Sequence, residues 1–185
     1  MKTKTKIINL IGGPGVGKST VTSGIFHELK TRKFSCELIT EYAKEVTWED
    51  THKLLENQIH IFSEQFRRQW RLIDKVDYVI TDSPLILNSI YYDYYLTKLG
   101  DRVKFTDAYI DLSRKFFDST FLEFNNINFF LKRSVDYEDE GRNQSMSEAL
   151  DIDNAILTKL LEYDQEFVIY HGDTRDTVQS IVASI

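Results

Sequence analysis

The sequence predicts a three-layer α/β fold, in which a five-stranded parallel sheet lies between helices on both of its faces. Short apolar runs of strand length alternate with segments of helical periodicity, which is the pattern of strand–helix–strand units. The 185 residues are 42% hydrophobic and 28% charged, a balance typical of globular proteins. No repeat, low-complexity segment or linker divides the sequence, so we expect a single domain over residues 1–185.

Five apolar runs are predicted to form the strands. They are Ile7–Ile11, Glu37–Thr40, Tyr78–Thr81, Ile127–Leu131 and Phe167–Tyr170. Four helices are predicted from apolar residues at helical spacing. Their apolar positions are Val21, Ile25 and Leu29; Leu55, Ile59, Phe62, Phe66 and Ile73, over about five turns; Leu150, Ile156, Leu157 and Leu160; and Val178, Ile181 and Val182.

Aromatic residues leave one question open. The cluster of Tyr91, Tyr92, Tyr94 and Tyr95 is compatible with core packing or with stacking on a substrate. Trp70, on the second predicted helix, is expected in the core.

The composition excludes several classes of protein. Cys36 is the only cysteine, which excludes an internal disulfide or a multi-cysteine zinc site, and its apolar neighbours predict a buried structural residue. The apolar runs fall well short of the roughly 20 residues that cross a bilayer, and the first residues lack the apolar block of a secretory signal. We therefore expect a cytoplasmic protein with no membrane partner. The net charge of −6 disfavours a generally DNA-binding surface, although it leaves room for a local basic channel.

A phosphate-binding motif follows the first predicted strand and precedes the first predicted helix. It reads Gly12-Gly13-Pro14-Gly15-Val16-Gly17-Lys18-Ser19 and fits G-x-x-x-x-G-K-[ST], the P-loop. Backbone N–H groups of such a loop converge on phosphate oxygens, its lysine bridges the β and γ phosphates, and its serine holds Mg²⁺. The nucleotide-binding residues predicted here are Gly13, Gly15, Val16, Gly17, Lys18, Ser19 and Thr20.

Other motifs decide among the classes of P-loop protein. A GTPase would carry Asp-x-x-Gly and Asn-Lys-x-Asp motifs, and the sequence contains neither. A remodelling ATPase normally adds a helical lid domain, for which 185 residues leave little room. Phosphoryl transfer from ATP to an acceptor, with Mg²⁺ as cofactor, is the remaining prediction, and it makes Lys18 a catalytic residue.

Two carboxylates follow predicted strands at the sheet edge where ligands of open α/β sheets bind. Asp82 follows the third strand and is predicted to bind Mg²⁺ or to accept the proton of an attacking hydroxyl; capping of the next helix is the alternative. Glu41 follows the second strand and is predicted to contact the substrate, with an exposed surface position as the alternative. Trp48, seven residues later, is a candidate for stacking on a planar substrate ring.

A polar stretch of mixed charge, about 132–146, is predicted to be a lid that closes over the nucleotide. Arg133 and Arg142 within it are candidate catalytic residues, because an arginine that reaches the phosphates stabilises charge during transfer. A solvated loop is the alternative.

The motifs together resemble the small P-loop kinases that act on nucleosides and nucleotides, most of all the ribosylnicotinamide-kinase-like (NadR-type, AAA ATPase-like) family and its phage-encoded relatives. The similarity covers nearly the whole sequence. It is carried by Gly12–Ser19, Thr40–Lys44, Thr81–Pro84 and Tyr137–Arg142; the family's Asp-Thr-Asp strand end is Asp82-Ser83-Pro84 here.

The resemblance implies a P-loop NTPase fold with sheet order 2-3-1-4-5. It also implies that Asp82 is the carboxylate on the acceptor side, that Arg142 belongs to the lid, and that the loop with Asp173 lies beside adenine. The location it implies is the cytoplasm, that of the host cell if the protein is phage-encoded.

The predicted activity is transfer of the γ-phosphoryl group of ATP to a hydroxyl of a nucleoside or nucleotide-like acceptor. One alternative follows from phage kinases that resemble this group and phosphorylate hydroxymethylated pyrimidines in DNA. It requires a basic groove, for which the candidate is a basic series formed by Arg67, Arg68, Arg71 and Lys75; a solvated helix face is the commoner explanation of such a series. A second alternative is a regulatory module that binds nucleotide without catalysis.

Overall fold

The computed structural model describes residues 4–102, 105–133, 145–171 and 174–185. Its strands are β1 (Lys6–Ile11), β2 (Cys36–Ile39), β3 (Tyr78–Thr81), β4 (Asn125–Leu131) and β5 (Phe167–Tyr170). The five predicted strands are confirmed, and their ends differ from the prediction by at most two residues.

The α-helices of the described residues are α1 (Lys18–Thr31), α2 (Tyr42–Trp48), α3 (Gln58–Trp70), α4 (Ile86–Leu99), α5 (Asp107–Leu122), α6 (Met146–Glu162) and α7 (Thr174–Ser184). Two short 3₁₀ helices, His52–Glu56 and Gly100–Arg102, precede α3 and follow α4. Within the described ranges, no helix is long and apolar enough to cross a membrane.

The sheet is parallel throughout and has the order β2-β3-β1-β4-β5, as the resemblance implies. The strand order reverses at β1, which lies between β3 and β4 and is paired with both through Ile8. Parallel strands end at one edge of the sheet, so the segments that follow β1, β2 and β3 meet there. This topology brings the P-loop close to Asp82 and Glu41.

Hydrophobic cores on the two faces of the sheet give the predicted three layers. Neighbouring residues of a strand face opposite sides, so Ile7 belongs to one core and Ile8 to the other. The first core holds buried residues of α3, α4, α5 and α6, including Phe62, Phe117 and Ile156, and the second holds residues of α1 and α7. Cys36 is fully buried in the second core, as predicted, and burial raises the pKa of its thiol.

The predicted second helix is shorter in the structure than in the sequence analysis. The run from Leu55 to Ile73 is interrupted at Asn57, whose side-chain oxygen accepts a hydrogen bond from the N–H of His60 and so caps α3. Ile73 lies beyond the end of the helix. As a result, Leu55 and Gln58 belong to different helices, the first 3₁₀ helix and α3, although both line the same cavity.

Two predicted core residues are exposed. Trp70 is 60% exposed because it is the last residue of α3, although its ring still contacts Phe66 and Phe124. Leu150 is 45% exposed because the buried stripe of α6 runs through Ala149, and one residue along a helix turns the side chain by about 100°.

Candidate active site

The loop between β1 and α1 needs glycine at its first position. Gly12 has a φ of +153°, and a Cβ there would lie 2.8 Å from Val16 Cγ2 and 3.0 Å from the carbonyl oxygen of Leu131. Any larger residue would therefore displace the loop from the sheet. The chain leaves the buried strand β1 and enters α1 at Lys18, so the loop ends at a helix N-terminus.

Lys18 is held across this loop by its own backbone. Its Nζ donates to the carbonyl oxygens of Gly12 and Gly13, both at 2.8 Å. The ammonium group is therefore held at the start of the loop, and Lys18 also lines the cavity beside Gly15 and Gly17.

Ser19 and Asp82 form the second feature of the site. The Ser19 hydroxyl donates to Asp82 Oδ2 at 2.6 Å, which joins the start of α1 to the end of β3. Asp82 is 4% exposed, and its buried Oδ1 has no hydrogen-bond partner among the described residues. The capping alternative is wrong, because α4 begins after Leu85 and has no side-chain cap.

A cavity of about 240 Å³ opens beside the P-loop. At one end it is lined by the loop and the start of α1, through Pro14, Gly15, Gly17, Lys18, Ser19 and Thr20. The other walls come from the segments after β2 and β3 and from α2, α3, α4 and the first 3₁₀ helix, through Glu41, Ala43, Lys44, Thr47, Leu55, Gln58, Ile61, Ser83, Leu87, Asn88, Tyr91 and Tyr95. The cavity therefore extends from the P-loop to side chains of α2, α3 and α4.

The wall formed by α4 resolves the question of the tyrosine cluster. Tyr92 lies in the core, Tyr94 donates to Glu148 at 2.7 Å, and Tyr91 and Tyr95 line the cavity. Burial, with a smaller effect from the Glu41 charge, raises the pKa of Tyr91 well above its usual value. Burial also raises the pKa of Tyr95 to about 12. Both phenols are therefore protonated at neutral pH and can donate hydrogen bonds.

Asn88 is the most buried polar residue of this wall. It is 5% exposed, and no hydrogen bond joins its side-chain amide to another described residue. Because Asn88 lines the cavity, a ligand bound there can form hydrogen bonds with this amide. Sequence reasoning missed Asn88, because one asparagine within an apolar helix carries no motif.

Of the predicted substrate residues Glu41 and Trp48, the structure places only Glu41 in the cavity wall. Glu41 lines the cavity, as its strand-end position predicts. Trp48 is 71% exposed and is not part of the lining, so the structure does not bring it to the site. The reason is helical phase: Ala43, Lys44 and Thr47 line the cavity, and Trp48 is turned away from Thr47 by about 100°.

Two predicted P-loop contacts are also absent from the lining. Gly13 donates its N–H to Asp153 Oδ1 at 2.5 Å, and Val16 packs against the core beneath α1. Arg133, predicted to reach the phosphates, pairs with Asp153 instead and is not part of the cavity wall. Arg142, Asp173 and most of the predicted lid lie outside the described residues.

The basic series at the end of α3 is partly neutralised. Arg68 binds Glu45 through two nitrogens, each at 2.6 Å, and Glu64 through Nε at 3.1 Å. Arg67 binds Glu64 at 2.7 Å. Guanidinium groups that are committed to carboxylates in this way are less available to flanking DNA phosphates.

Replacing Glu64 with glutamine is expected to lower stability by a small amount at neutral pH and by less at low pH. In the folded protein, hydrogen bonds from Arg67 and then Arg68 lower the pKa of Glu64 from 4.5 to about 2. The stabilisation is therefore fully present above about pH 4.5 and is lost as the pH falls towards 2. Urea unfolding of both proteins from pH 7 to pH 3 measures the difference; an equal difference at every pH would contradict this ion-pair account.

A glycine loop between a strand and a helix, ending in Lys18 and Ser19 beside Asp82, defines a P-loop nucleotide-binding protein. Residues 7–176 match the AAA domain family, and the chain therefore belongs to that family. No curated protein sequence matches the chain significantly.

Solved structures share the fold. The NadR protein in complex with NR is 15% identical, with a TM-score of 0.69 over 96% of this chain. The chain spans about half of that NadR protein, 51% of its length. Deoxyadenosine kinase from M. mycoides with bound dATP is also 15% identical, with a TM-score of 0.58 over 97% of this chain and 98% of that one. The predicted relation to P-loop nucleoside kinases is thus confirmed at the level of fold.

Proposed function

We propose that the protein is an ATP- and Mg²⁺-dependent kinase that transfers the γ-phosphoryl group to a hydroxyl of a nucleoside or nucleotide-like acceptor. One observation carries the proposal: a single cavity joins the P-loop to a chamber walled by Glu41, Asn88, Tyr91 and Tyr95. A P-loop that only binds nucleotide has no need of such polar and aromatic side chains around the same cavity.

The ATP phosphates would lie along the P-loop. N–H groups from Gly15 onward, together with the N-terminus of α1, would donate to phosphate oxygens, and the Lys18 ammonium would move from the loop carbonyls to the β and γ phosphates. We also propose that Arg142 of the predicted lid reaches the phosphates. The loop that contains Asp173 would lie beside adenine.

The residues beside the P-loop fit Mg²⁺. Ser19 Oγ and Asp82 are hard oxygen donors, and the unpartnered Asp82 Oδ1 is a carboxylate oxygen removed from water. Mg²⁺ held by Ser19 and Asp82 would offset phosphate charge during transfer. Among the described residues, no group of three or more His, Cys, Asp or Glu side chains is placed to hold a metal ion.

The acceptor would occupy the chamber beyond the γ-phosphate. Its hydroxyl would give its proton to the Glu41 carboxylate while its oxygen forms the new bond to phosphorus, and the bond from phosphorus to the bridging oxygen breaks to release ADP. Tyr91 and Tyr95 offer aromatic surface and phenol donors, and the Asn88 amide offers both a donor and an acceptor to a base edge.

The similar structures support a nucleoside or nucleotide-like ligand, since those proteins bind NR, dATP or dCTP. The DNA alternative is less favoured, because Arg67 and Arg68, two of the four residues of the basic series, are paired with carboxylates.

The proposal is tested by supplying γ-labelled ATP with free nucleosides, nucleotides, nicotinamide riboside, and DNA that contains normal or hydroxymethylated pyrimidines. We expect label in a small-molecule product, lost when Mg²⁺ is chelated and reduced on the order of 10²-fold in Glu41→Gln. Label in modified DNA alone would overturn the proposed acceptor. Nucleotide binding without transfer to any acceptor would favour a regulatory module.

A further inference from the structure

Arg133 and Asp153 form a buried ion pair next to the P-loop. Arg133 lies two residues beyond the end of β4, and Asp153 lies on the buried side of α6. Arg133 Nε is 3.0 Å from Asp153 Oδ2, and the two side chains are only 5% and 12% exposed. Because both side chains are largely removed from water, each charge needs the other as a partner.

Both members of the pair also bind the backbone of the P-loop. Arg133 Nη1 donates to the carbonyl oxygen of Pro14 at 2.7 Å, and Asp153 Oδ1 accepts the N–H of Gly13 at 2.5 Å. Two consecutive residues of the loop are therefore fixed, one through its carbonyl and one through its amide. The contact is close: a Cβ on Gly13 would lie 2.6 Å from Asp153 Oδ1 and 3.0 Å from Arg133 Nη2.

These contacts determine which backbone amides can face a phosphate. The N–H of Gly13 is committed to Asp153, and Pro14 has no N–H to offer. The first available amide is that of Gly15, and the cavity wall agrees, since it includes Gly15 and Gly17 but not Gly13. An apolar pair could fill the same space, but it could not orient an amide and a carbonyl.

We infer that Arg133 and Asp153 are positioning residues that hold the first turn of the P-loop in the conformation that binds a triphosphate. Neither residue touches the phosphates in this role. The inference rests on the proposed nucleotide site but not on the identity of the acceptor.

The chain contains a matched control. Lys159 and Asp118 form another ion pair of α6, with α5 as the other helix, at 3.2 Å and with side chains 14% and 7% exposed. Asp118 also accepts a hydrogen bond from the Tyr163 hydroxyl, and neither Lys159 nor Asp118 has a described contact with the P-loop. Breaking this pair removes a similarly buried charge interaction far from the phosphates.

The experiment measures thermal stability and the Kd of ATP for wild type, Asp153→Ala and Asp118→Ala. Both variants are expected to lose stability, whereas only Asp153→Ala should weaken ATP binding, by roughly ten- to hundredfold, the effect of a lost charged hydrogen bond. Asp153→Asn keeps an oxygen for the Gly13 N–H and is expected to fall between wild type and alanine. It also replaces the alanine variant if that variant does not fold.

Arg133 variants separate positioning from direct catalysis. Arg133→Ala should resemble Asp153→Ala in its Kd for ATP, and Arg133→Lys should recover part of the loss. Loss of kcat in Arg133→Ala with an unchanged Kd for ATP would overturn the inference in favour of contact with the transferring phosphate. Unchanged ATP binding in every folded variant would show that the pair only stabilises the fold. Failure of the wild type to bind ATP would instead refute the proposed function, and the inference with it.

Discussion

Replacing Lys18 with alanine is expected to reduce kcat/KM for ATP on the order of 10²- to 10³-fold, because it removes the only P-loop cation that faces the phosphates. The substitution also deletes the two hydrogen bonds that the ammonium group donates to Gly12 and Gly13. We therefore expect weaker ATP binding as well as slower transfer. Single-turnover transfer rates and calorimetric ATP titrations measure the two effects separately.

Lys30 provides the control for this variant. It lies on the same helix, in an exposed ion pair with Glu37 near the end of α1 that faces away from the loop. Lys30→Ala should leave transfer unchanged, since exposed ion pairs contribute little. Full activity in a folded Lys18→Ala protein would remove the P-loop from the reaction and would contradict the proposed function.

The fold could be predicted because its signals are local in the sequence. A buried parallel strand is a short apolar run, and the P-loop lies within eight consecutive residues, from Gly12 to Ser19. The site positions of Asp82 and Glu41 could be predicted from the sequence as well, because each residue follows a predicted strand and the ends of parallel strands share one edge of the sheet.

The errors within the predicted helices arise from phase and from helix ends. A shift of one residue turns a side chain by about 100°, which is enough to take Trp48 away from a wall that Thr47 joins. Apolar spacing also continues across Asn57, where the backbone is capped rather than helical. Periodicity identifies that a helix exists more reliably than it identifies where the helix begins.

The contacts of Asp153 with Arg133 and Gly13 arise from the tertiary structure, but the sequence of α6 contains one indication of them. Asp153 is a carboxylate on the stripe of α6 that also buries Ala149, Ile156 and Leu160. A charge at a core position needs a partner, and this pattern could have marked it as a functional candidate. Its partners, Arg133 and the N–H of Gly13, are 20 and 140 residues away and could not be named from the sequence.

Replacing Asp82 with asparagine is expected to lower kcat by roughly 10² or more while ATP still binds. The backbone of the P-loop and Lys18 remain, so most contacts of the phosphates are intact. Asparagine has nearly the same shape as aspartate and can still accept a hydrogen bond from the Ser19 hydroxyl. It lacks the negative charge that favours binding of a divalent cation. Measuring kcat over a range of Mg²⁺ concentrations distinguishes the two roles open to Asp82.

The bond to Ser19 indicates a role on the metal side, so raising Mg²⁺ should restore part of the activity of Asp82→Asn. Glu41→Gln is the comparison. If Glu41 takes the proton of the substrate hydroxyl, a higher Mg²⁺ concentration cannot replace it. A loss in Asp82→Asn that no Mg²⁺ concentration relieves would reassign Asp82 as the base. Unchanged kcat would leave the Ser19–Asp82 bond with a structural role only, joining α1 to the end of β3.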